Sequence, residues 1–232
     1  YHFKQGPKSA YSSDDNTLAL FHFDESAGSQ TLVDSSDFSR DVSFSASDYE
    51  YDFGVSGVFS TAFTSLSFSF DGFDLQIPEL VDLNSQTVEF WFKANEVDTS
   101  PSTRILNYRS AFELELTGHT DPSKIHFENN STTGFDLGAP YSMLTDGNWH
   151  HVAVVIDADS ERRNVYLLID GNVMASDLVP KSMLTTVDAG LNIFDAVNIT
   201  DGYQVDEFRL SNTARYKLNS SVAEIPYLTK VK

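Results

Sequence analysis

The sequence predicts an all-β protein in which two antiparallel sheets pack against each other. Apolar and polar residues alternate with a period of two along most of the 232 residues, and no segment of ten or more residues has a clear helical period. Asp-Gly dipeptides separate several of the alternating runs. About a dozen short strands without helices between them are typical of a β-sandwich or barrel.

The alternating runs give the predicted strands in order. In TVEFWFKA (87–94), Val88, Phe90 and Phe92 are expected to face the core, and the residues between them the opposite side. The run NVYLLID (164–170) is apolar on both faces, as expected of a strand covered on both sides. The remaining runs are LALFHFD (18–24), SLSFSF (65–70), RILNY (104–108), AFELELT (111–117), KIHFE (124–128), WHHVAVVID (149–157), LNIFD (191–195) and YQVDEFRL (203–210).

Two of the Asp-Gly dipeptides, Asp71-Gly72 and Asp170-Gly171, lie between alternating runs. They predict two-residue hairpins, because Asp-Gly tolerates the positive φ angles that such turns require. The runs that begin at Trp149 and Arg163 are joined by the polar turn ADSER (158–162) and are therefore expected to be antiparallel neighbours. One helical turn is predicted at 211–216.

Charge and composition restrict the function classes. The formal net charge is −19 and there is no Cys. A surface this acidic repels nucleic acid and anionic membranes, and a chain without Cys has neither disulfides nor Cys-ligated zinc. No apolar run of about 18 residues is present, so no membrane span is expected.

The chain is predicted to hold one large β domain with short flanking segments. Residues 1–15 are polar and irregular and are interpreted as an N-terminal arm or linker. The alternating runs place the domain at residues 16–216. Residues 217–232 have mixed character and are expected to pack along the outside of the domain as a C-terminal extension.

Five segments in order resemble the laminin G-like branch of the concanavalin A-like jelly rolls. They are LALFHFDES, FDGFDLQIP, QTVEFWFKA, DGNWHHVAVVID with VYLLIDGNV, and VDEFRLSNTARY. The resemblance implies an antiparallel two-sheet jelly-roll sandwich. One departure is the segment VSGVFSTAFTSL (55–66), which looks like an insertion after Phe53-Gly54.

The resemblance implies a non-enzymatic binding or adhesion module that lies outside a cell or on a virion and binds a glycan or a neighbouring structural protein. A purely structural subunit, as a homo-oligomer or within a larger assembly, is the alternative, and a glycan hydrolase is the third reading. Related hydrolases carry Glu-x-Asp-x-Glu on a strand in the middle of the chain. The nearest patterns here are Asp48 to Asp52, too early in the chain, and Glu113-Leu114-Glu115, which lacks the third acid. No catalytic residue is therefore assigned.

The resemblance also implies a structural calcium ion, whose ligands come from the first strand and from an Asp near the last strand. The matching residues are Asp24, Glu25 and Asp206, and backbone oxygens near 53–57 would complete the shell. Calcium takes six to eight oxygen ligands, so carboxylates combined with carbonyls suit it.

Candidate sugar-binding residues lie where strands and loops are expected to border the concave face. They are Tyr108, Arg109, His126, Asn129 and Asn130. A sugar site needs a few aimed polar groups of this kind. We expect Trp91 and Trp149 to pack in the core. His150 and His151 are expected to point to opposite faces of one strand, and therefore not to bind one metal ion together.

Overall fold

The protein is described by a computed structural model that consists almost entirely of β-strands. It describes residues 6–43, 51–65, 72–79, 85–94, 103–108, 112–117, 124–128, 136–158, 162–180, 190–194 and 203–216. The strands are β1 Thr17–Phe21, β2 Thr31–Leu32, β3 Val42–Ser43, β4 Tyr51–Ser56, β5 Thr61–Ser65, β6 Phe73–Gln76, β7 Gln86–Ala94, β8 Thr103–Tyr108, β9 Phe112–Thr117, β10 Lys124–Glu128, β11 Asp136–Pro140, β12 His150–Ala158, β13 Arg162–Ile169, β14 Asn172–Pro180, β15 Gly190–Ile193 and β16 Tyr203–Ser211. A 3-10 turn lies at Tyr141–Met143, and the described residues contain no α-helix.

The strands form two large antiparallel sheets, which confirms the predicted fold class. The eight-stranded sheet, called here the back sheet, has the order β14-β13-β12-β7-β16-β5-β4, and β1 also pairs with β16. The six-stranded sheet, called here the front sheet, has the order β11-β10-β9-β8-β15-β6. Strands β2 and β3 form a small separate ribbon. The inner faces of the two large sheets share one core.

Alternation along each strand determines which side chains enter that core. On β7, Val88, Phe90 and Phe92 are buried in the shared core, as predicted. Aromatic rings fill much of the space between the sheets, and neighbouring rings make tilted or edge-on contacts, such as that between Phe63 and Phe73 with centroids 5.3 Å apart. Such contacts add to the stability gained from burial alone.

The predicted hairpin at Asp170-Gly171 is confirmed. Strands β13 and β14 pair up to Ile169 opposite Asn172, and both turn residues have positive φ, 50° at Asp170 and 72° at Gly171. Strands β12 and β13 are antiparallel neighbours, as predicted. The strand expected before the other hairpin, at 65–70, lies almost entirely outside the described residues. The apparent insertion at 55–66 corresponds to the end of β4 and to β5, which pair as a hairpin at the edge of the back sheet.

Strand β16 is central to the back sheet because it pairs with three other strands. It pairs with β7 along one edge. On its other edge, β5 pairs with Tyr203 to Val205 and β1 pairs with Phe208 to Ser211. The gap between these two partners falls at Asp206 and Glu207, where the register shifts and Glu207 has a positive φ of 54°.

The outer face of the back sheet is covered by irregular segments from both flanks of the domain. Tyr11 is buried there at 7% exposure, and Ala214 and Tyr216 pack on a second apolar cluster formed by β12 and β13. Arg215 donates to both carboxylate oxygens of Asp14, at 2.6 and 2.9 Å, and so joins the two segments. The helical turn predicted at 211–216 is wrong, because the chain leaves β16 as bends that follow this surface.

Candidate functional site

The outer face of the front sheet is a polar surface. Leu75, Leu114, Leu137, Leu191 and Ile193 belong to the shared core. Since side chains alternate along a strand, the residues between or beside them point outward. The outward side chains described on this face are Asp74, Gln76, Arg104, Asn107, Glu113, Glu115, His126 and Asn192.

The strand register brings these polar residues into rows across the sheet. One row runs from Asp74 through Asn192 and Asn107 to Glu113, each residue being the cross-strand partner of the next. A second row joins Arg104 to Glu115, and Glu115 to His126 and then Gly138. Directly paired side chains on one face lie about 4.5–5.5 Å apart at Cβ. The two rows therefore present amide, carboxylate, guanidinium and imidazole groups close together.

Two carboxylates stand side by side in the middle of this face. Glu113 and Glu115 flank the buried Leu114 on β9, so both point outward. Glu113 retains only 7% exposure, and its Oε2 lies 3.8 Å from Nη1 of Arg104 on the neighbouring strand. Glu115 is therefore the more accessible of the two carboxylates.

Of the predicted sugar-binding residues, the structure places His126 on this face. His126 is half-buried and lies opposite Glu115. Tyr108 ends β8, but only its backbone is described. Arg109, Asn129 and Asn130 lie outside the described residues. Asn107, Asn192 and Arg104 were not singled out from the sequence, although the alternation within RILNY and LNIFD indicates which of their residues face outward.

The predicted calcium ligands Asp24 and Asp206 meet at the loop between β4 and β5. Asp206 is 1% exposed, and its Oδ2 accepts hydrogen bonds from the amides of Val58 and Phe59, at 2.6 and 3.3 Å. The Oδ1 atom of Asp24 accepts from the amide and the hydroxyl of Thr61, at 2.9 and 3.1 Å.

Gly57 allows this loop to approach the carboxylate. A Cβ at position 57 would lie 2.5 Å from the Thr61 carbonyl oxygen and 2.6 Å from Asp206 Oδ2. Two oxygen atoms from separate strands therefore converge beside a residue without a side chain.

Glu25 does not join this group. Its Oε1 accepts a hydrogen bond of 2.8 Å from the amide of Val33, eight residues further along. Phe23 has a positive φ of 59°, which changes the direction of the chain after β1. Within the described residues, no group of three or more His, Cys, Asp or Glu side chains could hold a metal. An ion beside Asp206 would therefore need main-chain oxygens.

The environment of Asp206 disfavours a bare negative charge. Burial, with a smaller effect of the nearby Glu207 and Asp24, raises the pKa of Asp206 to about 7, against the opposing effect of the Val58 and Phe59 amides. Crowded carboxylates of this kind are stabilised either by protons or by a cation.

A second polar cluster, which sequence reasoning missed, lies on the outer face of the back sheet. Glu89 is fully buried, and its Oε1 accepts two hydrogen bonds from Arg209, at 2.9 and 2.7 Å. Tyr216 donates a 2.5 Å hydrogen bond to Oε2 of Glu89. His151 Nε2 lies 3.4 Å from the same oxygen and shares a 2.8 Å hydrogen bond with the hydroxyl of Tyr11.

Gly6 packs closely over this cluster. A Cβ on Gly6 would lie 2.5 Å from the Cβ of His151 and 2.8 Å from the Trp91 ring. Burial would raise the pKa of Glu89, but the hydrogen bond with His151 and the charge of Arg209 lower it to about 2. The cluster is thus a buried ionic network. In the sequence, it was indicated only by the position of Glu89 in TVEFWFKA, where the alternation directs Glu89 away from the core.

Trp149 does not lie in the core, which corrects the prediction for this residue. It precedes β12, is half-buried, and has Lys93 Nζ 5.9 Å from its ring centroid. Trp91 is also half-buried, because it points outward from β7 between Phe59 and His151.

The two histidines do separate as predicted: His151 enters the buried cluster, while His150 contacts Asp146 and Asp170. No helix among the described residues is long and apolar enough to cross a membrane.

Solved structures with the same fold include several binding domains. The receptor-binding domain of botulinum neurotoxin type G matches with a TM-score of 0.62 and 12% identity, over 88% of this chain and 49% of that one. The neurotoxin DC binding domain in complex with rat synaptotagmin II matches with a TM-score of 0.54 and 14% identity, over 86% of this chain and 49% of that one. This chain therefore spans about half the length of both.

Domain 4 of AbnA, an extracellular GH43 arabinanase of Geobacillus stearothermophilus in complex with arabinotriose, matches with a TM-score of 0.55 and 17% identity, over 86% of this chain and 93% of that one. No curated protein matches the sequence significantly. The family model Laminin_G_3 matches residues 69–217, which is more than half of the 232 residues. The chain therefore belongs to the concanavalin A-like lectin/glucanase superfamily.

Proposed function

We propose that this protein is a non-catalytic glycan-binding module and that it binds its ligand on the outer face of the front sheet. The observation that carries the proposal is the double row of polar side chains that the strand register aligns across β6, β15, β8, β9 and β10. The outer face of the back sheet is less suited to this role, because the segments around Tyr11 and Tyr216 cover it.

The chemistry of the rows suits a sugar. Asn107 and Asn192 offer both amide donors and carbonyl acceptors, and Glu115 offers acceptors for hydroxyl groups. The groups stand on paired strands, so their spacing is fixed before a ligand arrives. Such preorganisation reduces the entropy lost on binding.

The likeness to domain 4 of AbnA supports this proposal, because that domain is solved with arabinotriose. The neurotoxin DC domain in complex with synaptotagmin supports a protein partner as the alternative ligand. We also propose that the module works outside a cell or on a virion surface, as the domain of the extracellular arabinanase does outside its cell.

The test is a glycan-array screen followed by calorimetry on the oligosaccharide that binds best. Asn107→Ala and His126→Ala should each weaken binding about five- to tenfold, because each removes a polar contact worth roughly 1–1.5 kcal/mol. Asp15→Ala, an exposed residue beside the segment that covers the back sheet, should bind like the unaltered protein. Absence of binding to any glycan would reject the proposal and favour a structural subunit.

We also propose that calcium holds Asp24 and Asp206 at the loop between β4 and β5. The convergence of the Thr61 carbonyl and Asp206 Oδ2 beside Gly57 supports this assignment. The ion would neutralise the carboxylates and join the first strand to the last. Glu25 is left out of the ligand set because it binds the Val33 amide.

A glycan hydrolase is the second candidate, favoured by the position of Glu113 and Glu115 on one face. The Cα atoms of residues i and i+2 on a strand lie about 6.7 Å apart, so side chains on one face can bring their carboxyl groups to the roughly 6.5–9.5 Å separation that inverting glycosidases use. Release of reducing sugar from a bound polysaccharide, abolished by Glu115→Gln without loss of binding, would establish this candidate in place of the non-catalytic module.

A further inference from the structure

We infer that the ligand of the front-sheet face is an uncharged glycan, and that the face rejects glycans bearing carboxylate or sulfate groups. This inference rests on the proposed function and specifies its ligand. It follows from the charges that the strand register places on the face. The described outward side chains include three carboxylates, Asp74, Glu113 and Glu115, and one guanidinium, that of Arg104. Even if His126 were protonated, the net charge of these described side chains would remain negative.

The guanidinium of Arg104 is already engaged. Its Nη1 lies 3.8 Å from Glu113 Oε2, and its cross-strand partner on β9 is Glu115. Two carboxylates of β9 therefore lie beside the group that an anionic sugar would bind. A sugar carboxylate or sulfate at Arg104 would either lie next to the like charge of Glu113 or replace it, and replacement would leave Glu113, which is 7% exposed, without its cation. Leaving a buried charge without its partner is costly.

Hydroxyl groups meet no such barrier. Ionised carboxylates accept hydrogen bonds from neutral donors, and these charge-assisted bonds are stronger than bonds between neutral groups. The Asn107 and Asn192 amides can serve the sugar oxygens as donors. Like charges on a sheet surface repel an anionic ligand over a distance set by the Debye length, about 10 Å at 0.1 M salt. The carboxylates therefore select against anionic glycans while they favour neutral ones.

The experiment compares matched pairs of oligosaccharides with the same backbone, one neutral and one carrying uronate, sialate or sulfate groups. At low salt the neutral member should bind at least about tenfold more tightly, and the difference should shrink as salt screens the repulsion. At low salt, Glu115→Lys should reduce the difference in affinity between the neutral and the anionic member. Asp15→Lys changes the net charge equally on an exposed residue away from the face, and it should leave the difference unchanged. Glu115→Gln serves as the milder variant, and melting curves confirm that each variant is folded.

The outcomes separate this inference from the proposed function. If the anionic oligosaccharide bound as tightly as the neutral one or more tightly, the inference would be overturned. If His126→Ala also abolished that binding, the front-sheet face would still be the glycan-binding surface. An equal change in selectivity for Asp15→Lys and Glu115→Lys would also overturn it, because the net charge alone would then decide selectivity. Failure of both members to bind would reject the proposed function itself.

Discussion

The carboxylate of Glu89 and the guanidinium of Arg209 form an ion pair on the outer face of the back sheet, at 2.7 and 2.9 Å, with Glu89 fully buried. The two residues are cross-strand partners on β7 and β16. Tyr216 and His151 contact the second carboxylate oxygen. Ions enter a dry site only when their hydrogen bonds are satisfied, so this pair needs the covering segments to be in place.

Glu89→Ala should therefore be strongly destabilised, by about 3–5 kcal/mol, as expected when one partner of a buried ion pair is removed. Urea denaturation measures the change in the free energy of unfolding. Glu79→Ala is the matched control, because Glu79 also accepts two short hydrogen bonds from an arginine, those from Arg40 at 2.6 and 2.7 Å, but is 36% exposed. That variant should lose only about 0–1 kcal/mol. Equal losses in the two variants would contradict the role given to burial.

Periodicity predicted the sheets well because the core imposes it directly. Val88, Phe90 and Phe92 enter the core as predicted, since a shift of one residue would expose all three. The outer cluster was missed because its cover consists of irregular segments around Tyr11 and Tyr216. Such segments have no period that shows where they pack, so Glu89 looked like a solvent-facing residue.

The sites could be predicted only in part for a related reason. Asp24 and Asp206 do meet at one loop, because Asp206 lies on β16 and Asp24 follows β1, which pairs with β16. Glu25 was assigned by its position beside Asp24, but the positive φ of Phe23 breaks the alternation just before it. On the front sheet, the row of outward residues depends on register between strands, which the separate runs do not reveal.

Trp149→Ala should lower the free energy of unfolding only slightly. A ring in the core would give a much larger decrease. The ring is half-buried and contacts Lys93 at 5.9 Å, so the variant should lose about 1–2 kcal/mol of unfolding free energy. Phe90→Ala, one of the core rings on β7, should lose about 3–5 kcal/mol. The two variants are compared by urea denaturation. If Trp149→Ala lost as much unfolding free energy as Phe90→Ala, the Trp149 ring would have to be packed as a core residue.

Stability should fall as the pH rises above neutrality, partly through His150. Its Nδ1 lies 2.8 Å from Asp170 and its Nε2 2.9 Å from Asp146, so the ring joins two turns and donates from both nitrogens when protonated. Burial opposes the charge, but the hydrogen bonds to Asp146 and Asp170 raise the pKa of His150 above its ordinary value of 6.5. A raised histidine pKa gives stability that is complete below about pH 6.5 and is lost as the pH passes the folded value.

His150→Gln tests this contribution through melting temperatures measured between pH 5 and 9. The variant should be less stable at pH 5 and should show a smaller decrease with rising pH than the unaltered protein. The decrease that remains is assigned to His22, whose hydrogen bond with Glu207 also raises its pKa, and to Asp206. A pH dependence unchanged by the substitution would show that the bridge between the turns does not hold the proton.

Calcium should stabilise the protein more at high pH than at low pH. Without a cation, burial raises the pKa of Asp206 from 3.8 to about 7. A carboxyl whose folded pKa is raised gives stability that is complete below its unfolded pKa and is lost as the pH rises through about 7. Calcium binds only the ionised carboxylate and therefore competes with the proton. Its stabilising effect should be small at pH 5 and large at pH 8.

Melting curves with excess calcium and with chelator, at both pH values, test this expectation. At a hundredfold excess over Kd, binding adds roughly 2.7 kcal/mol, which raises Tm by about 5–10 °C for a chain of this size. Asp206→Asn should remove the response to chelator, and Asp157→Asn and Glu25→Gln should keep it, since neither residue lies in the proposed ligand set. Magnesium should substitute poorly, because it requires tighter octahedral geometry. Identical melting curves in calcium and in chelator at pH 8 would show that Asp24 and Asp206 are stabilised by protons and backbone amides alone.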